Sequence, residues 1–130
     1  MPATYLDSSA LVKLVIEEPE SAALQRYLRR RRPLVSSALA RTEVIRAVLP
    51  EGNDAVVRGR LVLSRVDLIR MNDRILDSAA VLVPESIRSL DAIHLATAQQ
   101  LGTDLGRVLS YDDRMIRTAN RLGLRTTSPS

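Results

Sequence analysis

Short apolar segments typical of β-strands alternate with helical segments along the whole chain of 130 residues. Proline and glycine residues separate them, because both interrupt regular secondary structure. Strands that alternate with helices predict a parallel sheet with helices on both faces, since a crossover helix is needed to join parallel strands. A single core typically serves ~100–150 residues. We therefore predict an α/β fold with one domain over residues 1–130.

The predicted strands are short and rich in aliphatic residues, and they cover residues 3–7, 33–37, 66–71, 107–111 and 124–127. The predicted helices have apolar residues at helical spacing. They cover residues 10–16, 21–31, 38–49, 54–63, 73–83, 89–101 and 113–122. Serine or asparagine residues are available to cap several of these helices, and glycines follow the last two.

Composition excludes several classes of function. Aromatic residues form only 2% of the chain, which excludes a sheet that stacks nucleic-acid bases on exposed rings. The chain has no cysteine and one histidine, which excludes disulfides, thiol catalysis and multi-histidine metal sites. No apolar run approaches the ~20 residues of a membrane span, and no leader sequence is visible, so we expect a cytoplasmic protein without membrane contact. The net charge of +4 comes mostly from arginines, whose guanidinium groups suit phosphate.

Four acidic residues are predicted at one edge of the sheet. Asp7 and Asp112 each end a predicted strand, Asp91 lies in the first turn of a helix, and Glu43 lies one turn into another. Sites of open parallel sheets lie beyond the carboxyl ends of the strands, so we expect these carboxylates to converge. Converging carboxylates repel one another unless they share a cation, and oxygen ligands alone select Mg²⁺ or Mn²⁺. Such a site predicts metal-dependent hydrolysis of phosphodiester bonds.

Each acid also has a structural alternative. Asp7 and Asp112 can simply cap the helices that follow them. Asp91 can complement the dipole of its helix. Glu43 can form an ion pair with Arg46, three residues further along the same helix. These alternatives are ordinary for isolated acids, and the case for a shared site depends on all four residues together.

Four segments surround these acids: DSSALVK at residues 7–13, RTEV at 41–44, LDAIHLATA at 90–98 and SYD at 110–112. In this order and spacing they resemble the four acidic motifs of PIN-domain ribonucleases, and among these the VapC toxin family of VapBC toxin–antitoxin modules. The resemblance covers essentially the whole chain. It implies a PIN-like α/β/α sandwich with a parallel sheet of about five strands, and a Mg²⁺-dependent endoribonuclease.

The resemblance also implies roles for individual acids. Asp7, Glu43 and Asp91 correspond to the three core acids of the family, with Asp7 and Asp91 as direct ligands of Mg²⁺ or Mn²⁺. Asp112 corresponds to the fourth acid, which is more variable, and Asp113 beside it is an alternative for that role. All four positions are therefore expected to be both catalytic and metal-binding.

Supporting residues are expected around these acids. Ser9 corresponds to a small hydroxyl position that orients Asp7 or a bound water. Arg114 and Arg117 follow the fourth acid closely and are candidates for phosphate contact. His94 is expected to be a packed or hydrogen-bonded structural residue, because oxygen-rich Mg²⁺ sites rarely need an imidazole.

The family further implies partners: an RNA substrate, usually tRNA or ribosomal RNA, a cognate VapB-type antitoxin, and a second copy of the chain in a homodimer. We expect the antitoxin to lay an apolar helix in a groove formed by the first three helices. Leu24 and Leu28 are expected to line that groove, and the structural alternative is that these side chains belong to the ordinary core or to a homodimer seam. A basic side chain of the antitoxin would then enter the acidic site.

Two other functions remain as alternatives. One is an inactive module that keeps the fold and binds RNA or an antitoxin without turnover. The other is a phospho-receiver signalling domain, which is also α/β with carboxylates at strand ends. A receiver needs a pair of acids after its first strand and a lysine at the end of a late strand, whereas Asp7 is single and Lys13 is the only lysine.

Overall fold

The computed structural model describes residues 2–130, and within that range five strands and seven α-helices succeed one another. The strands are β1 (Ala3–Leu6), β2 (Leu34–Ser37), β3 (Asp67–Ile69), β4 (Leu105–Leu109) and β5 (Thr126–Thr127). The helices are α1 (Ser8–Val15), α2 (Ser21–Leu28), α3 (Ala40–Val48), α4 (Asn53–Ser64), α5 (Asp73–Ala80), α6 (Ser89–Gln100) and α7 (Asp113–Arg121). Of the helices in the described range, none is long and apolar enough to cross a membrane.

All strand pairs are parallel, and the sheet order is β3-β2-β1-β4-β5. The central strands β1 and β4 run in register, with Leu6 opposite Leu109. This register places the residues that follow the two strands, Asp7 and Ser110, side by side at the carboxyl edge of the sheet. The prediction of an α/β fold with about five parallel strands is confirmed.

Helices cover both faces of the sheet, because side chains alternate along each strand. Leu6 and Leu109 point into one core, which they share with α1 to α4. Tyr5 and Val108 point to the opposite face, where Ala98 of α6 packs against them. Helix α6 also contacts α7 through a third apolar cluster. The result is the three-layer α/β/α sandwich that the sequence predicts.

The helix predicted over residues 73–83 is shorter in the structure and ends at Ala80. Val83 precedes Pro84, and the proline ring disfavours helical backbone in the residue before it. The segment between α5 and α6 is therefore a loop, and it leads directly to Asp91 in the first turn of α6.

The two edge strands of the sheet are shorter than predicted. Strands β3 and β5 occupy only part of the predicted segments 66–71 and 124–127, because an edge strand has a pairing partner on one side only. The fourth strand instead begins two residues earlier than predicted, since Leu105 pairs with Ala3.

The prediction that Leu24 and Leu28 line an exposed groove is wrong. Leu24 is 0% exposed and Leu28 is 4% exposed, and both belong to the core beneath α1 and α3. The apolar face of α2 turns inward together with Ser21, whose hydroxyl donates to the backbone carbonyl of Lys13 at 2.7 Å. Leu24 and Leu28 are therefore not available to a partner helix in this structure.

This burial leads to a stability prediction. Replacing Leu24 with alanine should lower the free energy of unfolding by about 2–5 kcal/mol, because a buried cavity is left behind. Leu61 on α4 is 54% exposed, so Leu61→Ala is the matched control and should cost less than about 1 kcal/mol. Urea unfolding of both variants measures the difference. Equal losses in the two variants would contradict the packing described for α2.

Candidate active site

All four predicted acids line one cavity of about 340 Å³ beyond the carboxyl edge of the sheet. Asp7 follows β1, Asp112 follows β4, and Asp91 comes from the first turn of α6. Glu43 reaches the cavity from the first turn of α3. Asp112 lines this cavity and the neighbouring Asp113 does not, which favours Asp112 for the fourth position.

Asp7 is the most deeply buried of these acids, with 3% of its surface exposed. Its Oδ1 accepts hydrogen bonds from the Ser9 hydroxyl at 2.6 Å and from the backbone N–H of Ala10 at 3.1 Å. Its Oδ2 accepts one from the Ser110 hydroxyl at 2.5 Å. Burial raises the pKa of Asp7, and these hydrogen bonds offset the rise only partly. Asp7 therefore caps α1, as the structural alternative expects, and also lines the cavity.

Glu43 is linked to a buried histidine. His94 Nε2 lies 2.6 Å from Glu43 Oε1, the oxygen that also accepts from the Ser8 hydroxyl at 2.6 Å. His94 Nδ1 lies 2.8 Å from the Tyr5 hydroxyl, beneath the sheet edge. Burial raises the pKa of Glu43, but the hydrogen bonds from His94 and Ser8 outweigh it and lower the pKa overall. Glu43 thus contacts Ser8 and His94 rather than Arg46, which was the structural alternative. His94 is buried and hydrogen-bonded, as predicted.

Asp91 and Asp112 share one guanidinium group. Arg88 donates from Nε to Asp91 Oδ2 at 2.8 Å, and one terminal nitrogen lies within ion-pair distance of the same oxygen, also at 2.8 Å. The same terminal nitrogen donates to Asp112 Oδ2 at 3.0 Å. The other oxygen of Asp112, Oδ1, accepts from the backbone N–H groups of Arg114 and Met115 and so caps α7. The two acids are therefore held by a cation that the protein itself supplies.

The donor set suits a hard divalent cation, because carboxylate and hydroxyl oxygens line the cavity and the chain contains no thiol. In the side-chain arrangement of residues 2–130, no three acidic or histidine side chains stand close enough together to share a metal ion. Asp7, Glu43 and the Asp91–Asp112 pair are each engaged by their own partners. That pair nevertheless accommodates a positive charge between its two carboxylates.

A second cavity, of about 410 Å³, adjoins the acidic one and is rich in arginine. Arg114, Arg117 and Arg121 of α7 line it, and Arg88 and Asp91 lie at the boundary of both cavities. Arg114 was expected to support the site, and the structure places it here, beside the acids. Guanidinium groups beside a carboxylate cluster form a surface that can bind phosphate oxygens.

Sequence reasoning missed two contributors to the site. Arg88 stands three residues before Asp91, a spacing at which opposite charges pair at helix ends, so the signal was present. Ser110 follows β4 just as Asp7 follows β1, so correct strand ends would have placed them together. The contact of Arg88 with Asp112, 24 residues away, had no local signal.

A model of the PIN domain matches residues 4–121 of this chain. The chain belongs to the PIN-domain family. Within that family it is a VapC-type ribonuclease: it is 58% identical to ribonuclease VapC46 of Mycobacterium tuberculosis strain H37Rv over the full length of both chains. It is also 35% identical to ribonuclease VapC47 of strain CDC 1551, covering 96% of each. This membership rules out the phospho-receiver alternative.

Two solved structures share the fold. One is a toxin–antitoxin complex from Klebsiella pneumoniae, with a TM-score of 0.75 and 22% identity over 98% of each chain. The other is VapC20 of M. tuberculosis, a toxin that cleaves the sarcin–ricin loop, with a TM-score of 0.78 and 16% identity over 97% of this chain and 99% of that one. At these identities the likeness establishes the fold alone.

The burial of Asp7 predicts a pH-dependent effect of its replacement. A carboxyl whose pKa is raised by folding stabilises the protein while protonated, and this stability is lost as the pH rises through the folded-state pKa. Asp7→Asn should therefore be more stable than the wild type near neutral pH in EDTA. The difference in stability should narrow as the pH is lowered from neutral toward about 4, the ordinary pKa of aspartate, because Asp7 becomes protonated. Urea unfolding across this range measures it, and a gap that stays constant would contradict the assignment.

Proposed function

We propose that the protein is a Mg²⁺- or Mn²⁺-dependent endoribonuclease and the toxic component of a type II toxin–antitoxin system. The observation that carries this proposal is the cavity at the sheet edge, where four carboxylates adjoin an arginine-lined surface. Carboxylates suit a hard cation, and arginines suit the phosphates on either side of a scissile bond. The kinship with VapC ribonucleases supports the same conclusion.

Asp7, Asp91, Glu43 and Asp112 would hold the metal, with Asp7 and Asp91 as its direct ligands. A bound divalent cation would supply Lewis acidity toward the attacking water and would neutralise charge at the phosphate. Ser9 and Ser110 fix Asp7 from both sides, so its carboxylate is positioned before any metal binds.

Glu43 has a different task. Its lowered pKa keeps it ionised near neutral pH, and Ser8 and His94 both contact Oε1, which leaves Oε2 to accept a proton or a ligand. His94 is only 2% exposed and contacts Glu43 Oε1, so its role is to orient this carboxylate. Arg114 would contact the phosphate from the neighbouring cavity.

The substrate we propose is a structured RNA, a loop of tRNA or ribosomal RNA. A folded loop presents several closely spaced phosphates, which matches several arginines around one cavity. The related fold of VapC20, a toxin that cleaves the sarcin–ricin loop, is consistent with such a substrate.

We also propose that residues 1–130 form a single PIN domain and that the protein is cytoplasmic.

Replacing the acids tests the mechanism directly. Asp7→Asn and Asp91→Asn should lower the rate of RNA cleavage at least ~100-fold, because each removes a metal ligand. Asp112→Asn should be milder, at about tenfold. Asp113→Asn is the matched control, since this neighbouring acid lies outside the cavity, and it should cleave at close to the wild-type rate. Cleavage of labelled tRNA and rRNA fragments with Mg²⁺ measures each rate.

The same assay tests the cofactor. EDTA should stop cleavage, Mn²⁺ should restore it, and Ca²⁺ should not support comparable turnover, because it is larger and coordinates less strictly. Wild-type rates in Asp7→Asn, or activity that survives exhaustive chelation, would overturn the metal-dependent mechanism. Wild-type protein that binds metal and RNA but never cleaves would instead favour the inactive module.

We propose a VapB-type antitoxin as the protein partner. Because Leu24 and Leu28 are buried, the groove for its helix is better placed between α3 and α4. A cavity of about 450 Å³ lies there, lined by Arg41, Ile45 and Leu68 among other residues. Helix α3 forms one wall of this groove and also carries Glu43, so the groove and the acidic cavity share one helix. The toxin–antitoxin complex from K. pneumoniae, which shares the fold, supports such a partner.

This placement predicts the effect of an exposed substitution. The small open reading frame immediately upstream should encode the antitoxin, and its co-expression should rescue growth. Arg41→Glu should weaken rescue, since it reverses a charge at the groove mouth, while the purified variant keeps its cleavage rate. Arg107→Glu, on an exposed position of β4, is the matched control and should be rescued normally. Full rescue of a well-folded Arg41→Glu would place the antitoxin elsewhere.

We also propose that the protein forms a homodimer. The segment from α5 to the start of α6 exposes four large apolar side chains, between 41% and 79% exposed: Leu76, Val81, Val83 and Leu90. The first three line a cavity of about 530 Å³. Clustered exposed apolar residues are typical of protein interfaces.

Val81 is the most exposed of the four, at 79%, so its replacement should not disturb folding. Val81→Glu should weaken the dimer at least ~10-fold, because it places a charge in an apolar contact. Val57 on α4 is 58% exposed, and Val57→Glu serves as the control. Light scattering across a dilution series measures the masses. If the wild type stays monomeric at high concentration, the dimer proposal is wrong.

A further inference from the structure

Arg88 lies where a metal ion would be expected to lie. Its guanidinium contacts Asp91 and Asp112 at 2.8 and 3.0 Å, and both acids belong to the proposed metal site. We propose that Arg88 is an internal counter-cation that competes with the divalent metal for these two carboxylates. Metal binding then requires that Arg88 leave the pair. This inference rests on the metal-dependent function proposed above and assigns a positioning role to a residue outside the four acids.

The contacts are more than an ordinary surface ion pair. Asp91 lies in α6 and Asp112 lies just before α7, and the side chain of Arg88 links the two acids. Their side chains are 16% and 31% exposed. Two carboxylates brought together without a cation would repel each other. Arg88 removes that repulsion, so it stabilises the metal-free arrangement of the site. The same charge must be expelled when a divalent ion occupies the place.

The backbone around Arg88 allows such a movement. Arg88 is the residue just before α6 and has extended backbone angles, with φ −71° and ψ 148°. It also ends the loop that follows α5, and 56% of its side chain is exposed. The side chain can therefore turn away from the acids without breaking a hydrogen bond of α6. This freedom distinguishes Arg88 from a buried structural arginine.

The displaced guanidinium can enter the second cavity, because Arg88 also borders that cavity. There it would meet Arg114, Arg117 and Arg121, whose positive charges disfavour its arrival. In the absence of metal, the acids are therefore the preferred partner of Arg88. An RNA phosphate in the second cavity would reverse this preference, so RNA and metal would each favour the same displaced position of Arg88.

The first experiment measures the affinity of Mn²⁺ alone by isothermal titration calorimetry. Arg88→Gln should bind Mn²⁺ about three- to tenfold more tightly than the wild type, because no internal cation has to be expelled. Arg88→Lys keeps one positive charge but loses the planar fork, so its affinity should be intermediate. Arg117→Gln removes an equal charge from the neighbouring cavity without touching the acids, and its Mn²⁺ affinity should stay close to the wild-type value.

The second experiment follows the side chain itself. The Nε–H resonance of Arg88 can be assigned by its absence from the spectrum of Arg88→Lys. Titration of wild-type protein with Mg²⁺ should shift this resonance in step with metal binding, because the bond to Asp91 Oδ2 is lost. This measurement does not use the glutamine variant, so it tests the competition between Arg88 and the metal even if Arg88→Gln does not fold.

The outcomes separate this inference from the proposed function. Equal or weaker Mn²⁺ affinity in a folded Arg88→Gln, or an Arg88 resonance unmoved at saturating Mg²⁺, would overturn the competition while leaving RNA cleavage by the wild type intact. Tighter Mn²⁺ binding in Arg88→Gln, together with a wild type that never cleaves RNA, would support the competition and overturn the ribonuclease proposal for this site.

Discussion

The repulsion among four carboxylates at one edge of the sheet is the constraint that shapes the rest of the site. Parallel pairing of β1 with β4 forces Asp7 and the turn containing Asp112 to the same edge. Helices α3 and α6 bring Glu43 and Asp91 to the same cavity. Such a concentration of negative charge is costly unless every acid has a partner. The structure meets this requirement with a different partner for each acid.

Each acid has a partner of a different kind. Asp7 is almost fully buried and accepts hydrogen bonds from the hydroxyls of Ser9 and Ser110. Its pKa rises because burial penalises the charged form more than these hydrogen bonds favour it. Glu43 is partly buried, but its hydrogen bonds with His94 and Ser8 lower its pKa. Asp91 and Asp112 share the guanidinium of Arg88, whose side chain is 56% exposed. Hydroxyl groups therefore hold the deepest acid, and a positively charged side chain lies at the mouth of the site.

Much of the fold was predictable because it depends on local pattern. The order of strands and helices and the position of the acids at strand ends follow from apolar periodicity and from the geometry of parallel sheets. Which face of α2 is buried does not follow, since Leu24 and Leu28 fit either a core or a groove until the neighbouring helices are in place. The bridge from Arg88 to Asp112 likewise depends on two loops meeting in space. The catalytic roles of the four acids remain predictions.

The chain has no tryptophan and three tyrosines, so all of its near-ultraviolet signal comes from three phenol rings. Lys13 lies over the ring of Tyr111 and Arg31 over the ring of Tyr27. Tyr5 alone is fully enclosed, edge-on to the His94 imidazole with the ring centres 5.9 Å apart. Because His94 in turn contacts Glu43, the environment of this phenol changes with the state of the acids. Tyr5 is thus a native chromophore beneath the sheet edge, and its absorption can be used to follow changes at the acidic site without a label.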